Sequence, residues 1–197
     1  ETKAQLDRLQ ELAHRSPWGL NLRNELELKN LRVSGLGKEL VKRLQGASIT
    51  PNEKLALFDV ARENDVQAVA PLLVRMLQEE KELPEVRKRA SYLLRALGNS
   101  DHFRKLEDFV RKSIPATDVD QVVYANIILG LLECDRWGVR DVYPFLSAED
   151  PGIFDARASL EYALKRRMTI DDARWLLAQF DWECQINLCP RIGRERR

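Results

Sequence analysis

Histidine and cysteine are scarce in this chain, with two of the first and three of the second among 197 residues. There is no paired-histidine pattern of the HExxH kind, and His14 and His102 both fall at polar edges of expected helices, where side chains are solvated. Cys134, Cys184 and Cys189 form an odd, sparse set. Such a set excludes a disulfide framework and fits a reducing, cytoplasmic compartment. Cys184 and Cys189 have no further Cys or His nearby to complete the roughly four ligands of a zinc site. No metal and no cofactor is expected, no catalytic residue is nominated, and the chain reads as not an enzyme.

A surplus of one charge sign is missing too. Lys and Arg number 32 against 31 Asp and Glu, for a net charge of +1, although charged residues make up 32% of the chain. That balance gives a densely charged surface with no strong overall field, which weighs against broad nucleic-acid binding. No apolar run approaches the ~20 residues a membrane span needs, so no membrane partner is expected. No secretory leader is visible and the first residue is Glu1, so the sequence reads as a segment of a longer protein. Gly35-Leu36-Gly37-Lys38 is not a phosphate loop: Arg32 stands where that motif needs Gly, and Glu39 where it needs Ser or Thr.

Helix signals, by contrast, are everywhere. Apolar residues recur at three- and four-residue spacing, and alternating strand patterns are nearly absent. Thr50-Pro51-Asn52-Glu53 combines an N-cap Thr, a first-turn Pro and a capping-box Glu. Asp150-Pro151 repeats the cap-then-proline device, while Thr117 and Thr169 precede acids placed where the helix dipole favours them. Helices are expected at about 2–14, 37–45, 51–63, 66–79, 84–97, 101–113, 118–133, 137–146, 151–167 and 170–181. The least regular stretch, 16–36, mixes periods of two and three.

The starts are evenly spaced. Pro17, Pro51, Pro84, Thr117 and Pro151 lie 33 or 34 residues apart. A period of that size marks stacked helical hairpins. Ala56, Ala90, Ala125 and Ala158 sit at matching depth, and a second small residue follows each: Ala61, Ala96, Gly130 and Ala163. Small side chains at a fixed depth let neighbouring helices approach closely. Val69-Ala70-Pro71-Leu72-Leu73 and Val142-Tyr143-Pro144-Phe145-Leu146 share a Val-x-Pro-apolar-Leu pattern, which predicts a helix start or a kink at each proline.

Pro84-Glu85-Val86-Arg87-Lys88-Arg89-Ala90, followed by Leu93, Leu94, Leu97 and Gly98, resembles the second helix of a HEAT repeat, and the Val-x-Pro segments resemble its first. The resemblance runs over roughly 36–180 and is closest over 65–99. It implies an all-α fold, an α/α superhelical solenoid of about four HEAT-like hairpins. Residues 1–35 would form an irregular N-terminal helical segment, 36–183 the repeat array and 184–197 a polar, basic tail. It also implies that Arg87 occupies the place of an inter-repeat ladder arginine, although Val122 and Asp155 would break that ladder.

Solenoids of this kind present long surfaces to partners. The expected function is therefore a non-catalytic protein-interaction scaffold or a regulatory or sensor segment, whose partner is another protein or an adjoining domain of the same protein. The alternative is a nucleic-acid-binding solenoid that uses basic clusters on its inner face. The candidate partner-binding residues are Arg87, Lys88, Arg95 and Arg166 from those clusters. Ser91, Asn126 and Ser159 join them because each directly follows an aligned alanine, and together they would make a polar line along the inner helices.

Overall fold

The computed structural model describes residues 3–4, 6–7, 11, 35–79, 81–112, 118–146 and 162–179; for 118, 119, 144 and 146 it describes the backbone only. Among the described residues the fold is all-helical. Helix α1 is Leu36–Leu44, α2 is Pro51–Glu63, and a 3-10 turn Gln67–Val69 leads into α3, Ala70–Gln78. Then come α4 (Pro84–Leu97), α5 (Ser100–Lys112), α6 (Asp118–Glu133) and α7 (Val139–Leu146). Residues 162–167 and 170–179 are helical as well. Expectations at Thr117, Asp150-Pro151, Ala158, Ser159, His14, Cys184 and Cys189 lie outside the described residues.

Local chemistry accounts for the boundaries. The Thr50 hydroxyl accepts the Glu53 N–H at 3.3 Å and the Glu53 carboxylate accepts the Thr50 N–H at 2.6 Å, a complete capping box with Pro51 at the first helical position. Thr169 and Asp172 repeat the arrangement: Thr169 N–H donates to Asp172 Oδ2 at 3.0 Å and Asp172 N–H to Thr169 Oγ1 at 3.1 Å. Gly35 takes φ 90° ahead of α1, a left-handed conformation that glycine adopts without a Cβ penalty. A β-carbon on Gly37 would lie 2.9 Å from Ala68 Cβ, so that glycine serves the contact of α1 with the 3-10 turn. Pro71 falls in the first turn of α3, whereas Pro144 lies inside α7.

Two helix ends are built alike. After α2, Val66 N–H reaches back to Ala61 O at 2.9 Å, with Asp65 at φ 51°. After α6, Arg136 N–H reaches back to Leu131 O at 2.9 Å, with Asp135 at φ 55°. Both are six-to-one closures around a left-handed residue, and the two aspartates lie two periods apart.

Packing alternates along the chain. Helix α2 packs on α4 and α4 on α6, while α3 packs on α5; the hairpin neighbours α3 and α4, and α5 and α6, also touch. Helix α6 is apolar nearly all round, from Val123 to Leu132, and every residue of that stretch is buried. At the other end Leu6 is wholly buried, and Asp7 accepts a 2.7 Å hydrogen bond from Arg43 of α1, which ties the N-terminal helical residues to the stack. Of the aligned small residues, Ala56, Ala61, Ala90, Ala125 and Gly130 are buried. Ala96 is exposed, contrary to expectation, because Leu93, Leu94 and Leu97 turn the inward face of α4 away from it. No helix among the described residues is long and apolar enough to cross a membrane.

Candidate partner-binding surface

Most of the nominated residues lie on α4 and α6, and the interface between those helices decides their roles. Ser91 is 1% exposed and Asn126 4%. Asn126 Nδ2 donates to Ser91 Oγ at 3.2 Å and to Val122 O at 3.0 Å, and Ser91 Oγ–H donates to the Lys88 carbonyl at 2.7 Å. The alignment read from the sequence does bring Ser91 and Asn126 together. It points them at each other across the α4–α6 seam, not outward, so neither offers a group to a partner. Ser159 lies outside the described residues.

The arginines of α4 reach both neighbours. Arg87 Nη1 meets Asp120 Oδ1 on α6 at 2.6 Å, and Arg89 Nη2 meets Asp59 Oδ1 on α2 at 2.6 Å. The Arg87 pair is the more buried of the two, so removing one member would strand a partly desolvated charge. At the far end of α4, Arg95 holds Glu133 with Nε and Nη2 together, the latter at 2.6 Å from Oε1. That bond favours the charged guanidinium and raises the pKa of Arg95 further. Lys88, half-buried, makes no ion pair among the described residues.

The basic clusters that would have formed a nucleic-acid stripe are thus largely matched within the fold. Arg111 pairs with Glu107 and Asp141, Arg104 with Asp101, Lys112 with Asp108 and Arg136 with Glu107. Arg136 is the first cause holding the Glu107 carboxyl below its ordinary value, with Trp137 and Arg111 adding to it.

Two nominated arginines, Arg95 and Arg166, meet in a cleft of about 1050 Å³. One wall is the end of α6 and the turn beyond it, including Glu133, Asp135, Arg136 and Trp137. Tyr162, Ala163, Arg166 and Arg167 form the opposite wall, and Asp172 completes the rim. The walls are fixed by several contacts. Leu164 is buried in the core, and Arg167 donates to Leu132 O and Glu133 O at the C-terminal end of α6 and to the Asp135 carboxylate. Trp175 meets Tyr143 of α7 edge-on at 5.4 Å and lies under the Arg140 guanidinium at 5.6 Å. Arg111 lies 4.7 Å over the Trp137 ring. Tyr162 is 64% exposed, with the Arg166 guanidinium 5.9 Å from its ring centre.

Trp137 and Tyr162 were not nominated from the sequence. The available signal was an aromatic placed directly after a helix end, at Asp135-Arg136-Trp137-Gly138. Cys134, beside the cleft, has its thiol pKa pushed up by burial first and by Glu133 and Asp135 next, which disfavours the reactive thiolate. No group of His, Cys, Asp and Glu side chains among the described residues is arranged to hold a metal ion. No family model matches the chain, and no curated protein or solved structure matches it either.

Proposed function

We propose that this chain is a non-catalytic protein-interaction scaffold or regulatory segment, built as an α/α solenoid of about four HEAT-like hairpins, and that it docks another protein or an adjoining domain of its own protein. The observation that carries this reading is the alternate packing α2–α4–α6 beside α3–α5. Helices that bury their flanks only against neighbours one period away extend in one direction, and the faces left over form continuous surfaces. The polar links Arg87–Asp120, Ser91–Asn126 and Arg95–Glu133 join residues about one period apart, as stacked hairpins require.

Nucleic-acid binding has less support, because Arg87, Arg89 and Arg95, the arginines of α4 that would contact phosphates, are engaged with carboxylates of this chain. A photo-crosslinking residue in place of Tyr162, in the intact protein in its own cells, tests the reading. The expected result is a discrete protein adduct that is absent when the same residue replaces Lys112. Adducts to nucleic acid alone, or none at all, would overturn it.

A further inference from the structure

The cleft between the end of α6 and residues 162–172 is not electrically neutral towards a ligand, even though acids and bases both line it. Each of its carboxylates already accepts a hydrogen bond inside the chain: Glu133 from Arg95, Asp135 from Arg167, and Asp172 from the Thr169 hydroxyl and backbone N–H. The bond from Thr169 holds the Asp172 pKa down. The arginines are less fully used. Among the described residues Arg166 meets no carboxylate, and its guanidinium lies 5.9 Å from the Tyr162 ring centre. Arg136 uses Nη2 on Glu107, which is not part of the cleft wall. A guanidinium has five donors, so both retain unused N–H groups. Among the described residues the lining carries four arginines against three carboxylates, and its unused N–H donors lie on the arginines, with the exposed Tyr162 face beside them.

We propose that the cleft binds an extended acidic peptide segment of a protein partner, whose Asp or Glu side chains pair with Arg166 and Arg136 while its backbone lies along Tyr162. This rests on the scaffold reading above and names the chemistry of its partner. A peptide suits the walls better than a nucleic acid. A peptide brings charge only at its acidic side chains, whereas a phosphodiester backbone brings a charge at every residue past Glu133, Asp135 and Asp172.

The test is fluorescence anisotropy of the intact protein with three labelled probes: a peptide of alternating Glu and Ser, its Gln–Ser counterpart, and a single-stranded oligonucleotide of equal charge. The acidic peptide is expected to bind saturably and the Gln–Ser peptide at least tenfold more weakly. Arg166→Glu should weaken acidic-peptide binding by at least about tenfold, which is 1.4 kcal/mol. Lys112→Glu, on an exposed residue of α5 away from the cleft, should leave it unchanged. Circular dichroism of both variants checks that the fold is kept. No saturable binding, equal loss in both variants, or an oligonucleotide bound as tightly as the peptide would overturn the proposal. A protein adduct at position 162 without acidic-peptide binding would remove this inference and leave the scaffold reading standing.

Discussion

The ring of Phe103, from α5, occupies the space where Gly130 of α6 has no side chain. A β-carbon at Gly130 would collide with three atoms of that ring. Phe103 is among the largest fully buried side chains, so it cannot swing aside into solvent. The sequence marked Gly130 as a small residue at a recurrent depth, and the packing of α5 on α6 gives the reason for it.

Gly130→Ala is therefore expected to destabilise the protein. Ala gains up to about 1 kcal/mol of helix propensity over Gly in a helix interior. Overpacking a filled core costs about 1–3 kcal/mol, and the collision here is with ring atoms that are themselves enclosed. The net effect should be a lower urea midpoint at unchanged slope. A midpoint equal to or above that of the parent would show that α5 and α6 can separate freely at this point.

The Ser91–Asn126 bond offers a second measurement. Both groups are buried, so a double-mutant cycle of Ser91→Ala and Asn126→Ala should give a coupling of about 0.5–1.5 kcal/mol. Asn126→Ala should be the costlier single change, because Asn126 also bonds Val122 O. Strict additivity would mean that the two side chains do not hold each other in solution.

How far these features were readable in the sequence varies with the range of the interaction. Thr50, Pro51 and Glu53 lie in one turn, so their capping box could be read directly; after Thr169 the spacing signalled acids in the first turn, and the structure adds that Asp172 closes a box with Thr169. The interval between Ser91 and Asn126 was readable too, because stacking keeps it constant. Its facing direction was not, since that depends on how far α4 is rotated against α6. The basic clusters misled for a related reason: Glu133 and Asp120 lie 38 and 33 residues from the arginines they neutralise. The cleft depends on the angle at which residues 162–179 leave α6 and α7, which no local pattern encodes.

His102 should make stability depend on pH. Its Nδ1 accepts the Asn99 N–H at 3.2 Å, while Asn99 Oδ1 accepts the His102 N–H at 3.2 Å, so the pair caps the start of α5. Burial is the first cause that holds its pKa below the ordinary 6.5, followed by Lys105, with Asp101 opposing them. Protonation is thus easier in the unfolded chain. The contribution is complete above about pH 6.5, shrinks as pH falls through 6.5 towards the lower folded value, and is flat below it. His102→Gln keeps a capping acceptor without titrating. Urea midpoints at pH 7.5 and 5.5 should fall more in the parent than in this variant; an equal fall would remove His102 as the cause.

The enclosure of α6 bears on where the chain can be divided. From Val123 to Leu132 it has no face turned to water, so it cannot serve as a terminus of any shorter soluble piece. A fragment ending soon after Glu133 would present a bare hydrocarbon flank and precipitate or pair with itself. A shorter piece must therefore stop before α5 or carry the chain on to at least residue 179.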